Sequence, residues 1–280
     1  MNDLRVAAVV MRSGFGEVGA NLEKMRMFVR QAGACKADIV CFPEMNVTGY
    51  ALKPDIERYA EPIPGPSTDE IQRMAKKHAV TILAGLAERK PGGIAITHAV
   101  ISPDGDIGVY CKLHLSQGER QIFQAGDLVP TFKIGGTCFG VQLCYDAHFP
   151  ELSTLQALKG AEVLFMPHAS PPPESPEQKR DRWMRYLAAR AYDNSVYVVA
   201  CNQTGGDAGR SFSGVALVLD PRGEILGETS GDEERMLIAE LKADALIKTR
   251  SARMGFFLAQ RRPELYHDLC SPMQESLLNR

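Results

Sequence analysis

Apolar positions along the chain fall into two rhythms. Runs such as Leu4 to Val10, Asp38 to Phe42, Val80 to Ala87, Cys138 to Leu143, Val163 to Met166 and Val196 to Cys201 read as strands. Between them, Leu22, Met25, Phe28 and Val29 recur at the helical spacing, with Asn21 placed to cap that helix. Ser67 to His78, Glu151 to Lys159 and Asp181 to Asn194 suit further helices. Two hairpins complete the pattern: Ala99 to Cys111 turning at Asp104-Gly105, and Gly214 to Leu219 turning at Pro221-Arg222-Gly223. A strand from Met236 to Leu241 follows, then a polar, basic tail. Strands alternating with helices predict an α/β protein, and hairpins among crossover units predict a mixed sheet. Pro171-Pro172-Pro173 must be a loop. With no repeat, low-complexity segment or linker, residues 1–280 are expected to form a single domain.

Composition narrows the function. At 280 residues the chain can bury a sizeable core without disulfides or metal. A net charge of -2 supplies no basic field for a phosphate backbone, so nucleic acid is not expected as a partner. No apolar run approaches the roughly 18 residues of a membrane helix. The start, Met1-Asn2-Asp3-Leu4-Arg5, lacks the pattern of a signal peptide, and a cytoplasmic protein is expected. The 7 cysteines are scattered, several within apolar runs, which predicts reduced thiols, any one of them a candidate nucleophile.

Chemistry is expected where strands end and helices begin. Cys144 follows the run Gly140-Val141-Gln142-Leu143, with a helix starting near Pro150, so a sharp strand-to-helix turn would present its thiol beside free backbone N–H groups. Such surroundings favour the thiolate. Glu44 ends another strand directly after Pro43, where desolvation would raise its pKa towards that of a useful base. Lys112 follows Val109-Tyr110-Cys111 and, directed to the same edge, would hold the oxygen of a tetrahedral intermediate. Taken singly, these read as a buried cysteine, a turn carboxylate and a surface lysine; their combination carries the argument.

In order, Phe42-Pro43-Glu44, Lys112-Leu113-His114-Leu115 and Cys144-Tyr145-Asp146 leading to Phe149-Pro150-Glu151 resemble the Glu-Lys-Cys motifs of the nitrilase superfamily of carbon–nitrogen hydrolases. Glu119, ahead of Phe123-Gln124-Ala125-Gly126-Asp127, is similar to that family's second glutamate, which positions the lysine. Arg190-Ala191 to Asn194, with Asp193 where glutamate is common, resembles its helix-end motif. Asp220-Pro221-Arg222-Gly223-Glu224 resembles its late hairpin, and Arg261-Arg262-Pro263-Glu264-Leu265-Tyr266 its tail.

The resemblance implies a four-layer α-β-β-α sandwich, assembled as a homodimer or larger homo-oligomer. It implies Cys144 as nucleophile, Glu44 as base, Lys112 with the Tyr145 backbone N–H as oxyanion site, and no metal or organic cofactor. Cys-Tyr-Asp in place of Cys-Trp-Glu favours a linear amide over a nitrile, with hydrolysis of an N-carbamoyl amine or amino acid as the alternative. Tyr50, His148, His168 and Ala169, with the loop to Glu174, are candidate pocket walls by family position, His168 being equally expected as a structural histidine. Arg180, Arg182 and Arg185 are expected mainly on a solvated helix face, with a substrate carboxylate as the lesser option. A non-enzymatic metal module built on Cys138, Cys144, His148 and His168 is a remote rival whose spacing matches no common zinc motif.

Overall fold

The run Leu4–Val10 forms β1, and its side chains divide between two cores: Leu4, Val6, Ala8 and Val10 face one, Ala7 and Val9 the other. A strand covered on both faces favours apolar residues at nearly every position, which explains why, Arg5 apart, this run is continuous rather than alternating. The computed structural model describes residues 1–171, 174–207 and 209–271; Pro172 and Pro173 of the expected proline loop lie outside the described residues.

In chain order, β1 leads to α1 (Val18–Ala34), β2 (Ile39–Cys41), α2 (Pro66–His78), β3 (Thr81–Lys90), β4 (Gly93–Ile101) and β5 (Ile107–Cys111). The second half runs β6 (Phe132–Ile134), β7 (Thr137–Val141), α3 (Pro150–Leu158), β8 (Val163–His168), α4 (Pro176–Asn194) and β9 (Tyr197–Asn202). It closes with β10 (Gly205–Asp207), β11 (Arg210–Phe212), β12 (Gly214–Leu219), β13 (Ile225–Gly231), β14 (Arg235–Leu241) and α5 (Ala243–Ser251).

Two 6-stranded mixed sheets result, in the orders β14-β1-β2-β3-β4-β5 and β13-β12-β9-β8-β7-β6. β1, β2 and β3 run parallel, as do β7, β8 and β9; the hairpin strands flank them antiparallel. The inner faces share one core, in which Val6 and Leu83 of the first sheet lie with Phe139, Phe165 and Val199 of the second. Helices α1 and α2 cover the outer face of the first sheet through Met25, Phe28, Ile71 and Met74. Helices α3 and α4 cover that of the second through Ala157, Trp183 and Leu187. This is the four-layer α-β-β-α sandwich, where the pattern of runs alone predicted only a mixed sheet.

Several elements differ from expectation, β4 for one beginning at Gly93 rather than Ala99. α1 starts at Val18, and Asn21 lies buried inside it, bonding the N–H and C=O of Gly14 and the C=O of Val47 rather than capping the helix. α4 starts at Pro176, a turn and more before Asp181, because Ser175 and Gln178 form a reciprocal capping box at 2.9 and 3.2 Å. The basic tail contains α5. No helix among the described residues is long and apolar enough to cross a membrane.

Candidate active site

The parallel strands of both sheets deliver their carboxyl ends to one edge, where Glu44 follows β2, Cys144 follows β7 and Ala169 follows β8. Glu44 is held by its neighbours on both sides. Gln203 at the end of β9 donates to its backbone oxygen at 2.8 Å, and the Ala169 amide donates to its Oε2 at 2.9 Å. The adjoining turn passes so close to β3 that a Cβ on Gly85 would lie 2.3 Å from the Met45 nitrogen and 3.1 Å from the Glu44 carbonyl carbon. Only glycine leaves room for that approach.

Lys112 leaves the end of β5 with its backbone still paired, donating to Ile96 and accepting from Gly126. Its ammonium, 1% exposed, reaches Glu44 Oε1 at 2.8 Å and Glu119 Oε1 at 2.6 Å. Glu119 is fixed in turn by the Ser116 amide at 2.7 Å and the Tyr50 hydroxyl at 2.9 Å. Two buried carboxylates therefore share one cation.

Cys144 adopts φ +48°, a conformation that costs a non-glycine residue energy and projects the side chain out of a tight turn. The turn continues as a short 3-10 helix over Cys144–His148 before α3 begins at Pro150. Asp146 braces it from beneath: its buried carboxylate accepts from Tyr110 Oη at 2.8 Å, His114 N at 2.8 Å and Leu143 N at 3.1 Å. Arg190 on α4 clamps the other side, donating to the carbonyl oxygens of Ala147 and His148.

These surroundings set the proton inventory. Burial pushes the Glu44 carboxyl up to about 7, with Glu119 adding to the rise and Lys112 opposing it. For Glu119 the burial cost is outweighed by Lys112, Ser116 and Tyr50, so its carboxyl stays below the usual range. The Lys112 ammonium is likewise disfavoured by burial but held charged by Glu44 and Glu119, well above the ordinary lysine value. The Cys144 thiol is pushed up, first by burial and then by Glu44. This runs against the expectation of a stabilised thiolate: burial first, then Glu44 and Glu119, favour the neutral thiol, with Lys112 and the Ala169 amide opposing.

Tyr50, Lys112, Glu119, Cys144, Tyr145, His148 and Ala169 line one cavity of about 390 Å³, joined by Leu52, Ser116, Ser170, Pro171 and Arg210. His168 is absent from that wall. Its ring is buried against Trp183 at 4.2 Å, with Nδ1 2.7 Å from the Met166 oxygen, so it belongs to the packing behind the site. Arg180 pairs with Glu228 and Asp181, while Arg185 is exposed, as a solvated face predicts. Arg182 turns inward to Glu174. Beside it lies a residue missed in the sequence, Lys179, fully buried and bonded to Ser170 O and Glu174 Oε1, each at 2.9 Å. Its signal was present: Lys179, Trp183, Leu187 and Arg190 form the buried stripe of α4, so a lysine stood at an apolar position. Among the described residues no cluster of three or more His, Cys, Asp or Glu side chains is arranged to hold a metal ion.

Comparison with known proteins assigns the chain to a class of hydrolases. The family model described as carbon-nitrogen hydrolase matches residues 5–251, and the chain belongs to that family, within the nitrilase superfamily. A nitrilase of Pyrococcus abyssi (strain GE5 / Orsay) is 32% identical over 94% of this chain and 99% of its own length. An N-carbamoylputrescine amidase of Arabidopsis thaliana is 32% identical over 89% of this chain and 90% of its own. The crystal structure of a carbon-nitrogen hydrolase from Helicobacter pylori G27 superposes with a TM-score of 0.86 at 27% identity, covering 97% of this chain and 99% of that one.

Proposed function

We propose that this carbon–nitrogen hydrolase cleaves linear amides through a thioester on Cys144. The observation that carries the reading is the bridging of buried Glu44 and Glu119 by Lys112 Nζ, at 2.8 and 2.6 Å, with Lys112, Glu119 and Cys144 lining one cavity. Glu44 takes the thiol proton as the sulfur bonds to the carbonyl carbon. Its pKa near 7 suits that transfer, and the raised thiol pKa makes a base necessary. Lys112 and the Tyr145 backbone N–H hold the developing oxyanion. The carbon–nitrogen bond then breaks, and ammonia or an amine leaves with the proton. Water, deprotonated by Glu44, releases the carboxylic acid from the thioester. Glu119 keeps Lys112 charged and in place.

Tyr145-Asp146 after the nucleophile supports amide over nitrile, and the buried bonds of Asp146 give it a bracing role. The N-carbamoyl reading stands second, supported by the N-carbamoylputrescine amidase relative. Ammonia release from a panel of simple amides, ω-amides, nitriles and carbamoyl compounds, with Cys144→Ala as control, tests both. Turnover of nitriles alone, or turnover surviving in Cys144→Ala, contradicts them.

The proposal extends to residues 1–280 acting as one catalytic domain in a cytoplasmic homodimer or larger homo-oligomer. Exposed Leu155 and Leu158 on α3, beside exposed Tyr266 and Leu269, support self-association through that face, and light scattering reads it directly.

A further inference from the structure

One cation in the cavity wall takes no part in the Glu44–Lys112–Glu119 cluster. Arg210 opens β11, and its guanidinium lies over the Tyr50 ring with Cζ 5.5 Å from the centroid. Two residues on, Phe212 meets the same ring edge-on at 6.4 Å, so residues of one strand face sit on Tyr50 and direct Arg210 inward. The far end of Tyr50 donates to Glu119 at 2.9 Å. A single tyrosine therefore spans from Arg210 to the catalytic cluster. Among the described residues no carboxylate pairs with Arg210, whereas Lys112 has two.

The cavity is consequently polarised. At its inner end one ammonium meets two carboxylates, so the balance is neutral or negative depending on the Glu44 proton. At its outer end Arg210 adds a positive charge. Behind Ser170, Lys179 and Arg182 share the one carboxylate of Glu174, which leaves a second positive excess on that wall. A substrate with a charge at the end remote from its amide would be aligned by this gradient: an anionic end is drawn to Arg210 and repelled by Glu44 and Glu119, which turns the amide towards Cys144. A cationic end would be aligned backwards.

Building on the amidase reading, we propose that Arg210 is a specificity residue that binds a substrate carboxylate, so that the preferred substrates are amides bearing an anionic group at the far end of a short chain. A guanidinium offers paired donors to a carboxylate, and the face of Tyr50 limits how far it wanders.

The test uses three matched amides: glutaramate, the neutral valeramide and ω-aminopentanamide. Wild type is expected to show the highest kcat/KM for glutaramate and the lowest for the cationic amide, with the glutaramate KM rising as salt is added. In Arg210→Ala the glutaramate-to-valeramide ratio of kcat/KM should fall about 10- to 100-fold, chiefly through KM, as expected for one lost charge-assisted bond. Arg210→Lys should recover part of that ratio, which a merely structural role for the side chain would not produce. A ratio unchanged in Arg210→Ala, or a wild-type preference for the neutral or cationic amide, overturns the inference while leaving the amidase reading intact. If none of the three amides acylates Cys144, both are overturned together.

Discussion

Glu44 and Glu119 grip the same Lys112 ammonium yet titrate on opposite sides of the ordinary carboxylate value. The difference lies in what else each receives. Glu119 collects the Ser116 amide and the Tyr50 hydroxyl, whereas Glu44 has Ala169 alone and a deeper desolvation cost. Environments that push two carboxyls apart in this way support the proposed division into a base and its fixed companion.

The two glutamates should therefore fail differently as amides. Glu44→Gln loses the proton acceptor, and single-turnover acylation is expected to drop about 10²- to 10⁴-fold with substrate binding retained. Glu119→Gln keeps a hydrogen-bonding group near Lys112 and should still acylate, slowly. Equal losses in both variants would contradict the division of labour.

A pH profile reads the same assignment. Glu44 accepts a proton only as carboxylate, so kcat/KM should fall as pH drops through about 7, approaching about tenfold per unit below it. Glu119, ionised well below that range, contributes no inflection there. A profile flat between about pH 5 and 8 would rule out a base of this kind.

Alkylation distinguishes a general-base thiol from a free thiolate. Because its pKa is raised, Cys144 should react with iodoacetamide only as far as Glu44 assists, whereas exposed Cys35 reacts independently. Peptide mapping should show the Cys144-to-Cys35 labelling ratio falling in Glu44→Gln. An unchanged ratio would mean that another group deprotonates the sulfur.

Much of this was legible in the chain. The run Leu4–Val10 became a strand with those same ends, because a segment covered on both faces leaves no ambiguity about its apolar period. Glu44, Lys112 and Cys144 stood out as candidates because each follows a strand-like run in a recognisable motif. The pairing of strands into two sheets was not legible, since continuous apolar runs do not encode their neighbours. Asn21 misled because a capping residue and a buried bridging amide look alike before the loop at Gly14 is folded against it. The thiol's raised pKa depends first on burial and then on two glutamates 25 and 100 residues away in sequence, and Arg210 acquires meaning only once β11 lies on Tyr50.

Asp146 offers a test of the brace beneath the nucleophile. Asp146→Ala strands the donors of Tyr110, Leu143 and His114, at a cost of about 2–4 kcal/mol and a Tm lower by roughly 5–10 °C. Acylation should fall with it, because the φ +48° turn at Cys144 loses its support. Calorimetry showing an unchanged Tm would remove Asp146 from that role.

The central claim is the covalent step at Cys144, and intact mass measured on rapidly quenched mixtures with amide substrates tests it most directly. The account predicts a mass increment equal to the acyl group, mapped to the peptide carrying Cys144, absent in Cys144→Ala and formed far more slowly in Glu44→Gln. An increment that persists in Cys144→Ala, or turnover of amides with no covalent species at any quench time under conditions where acyl release is slowed, would contradict it.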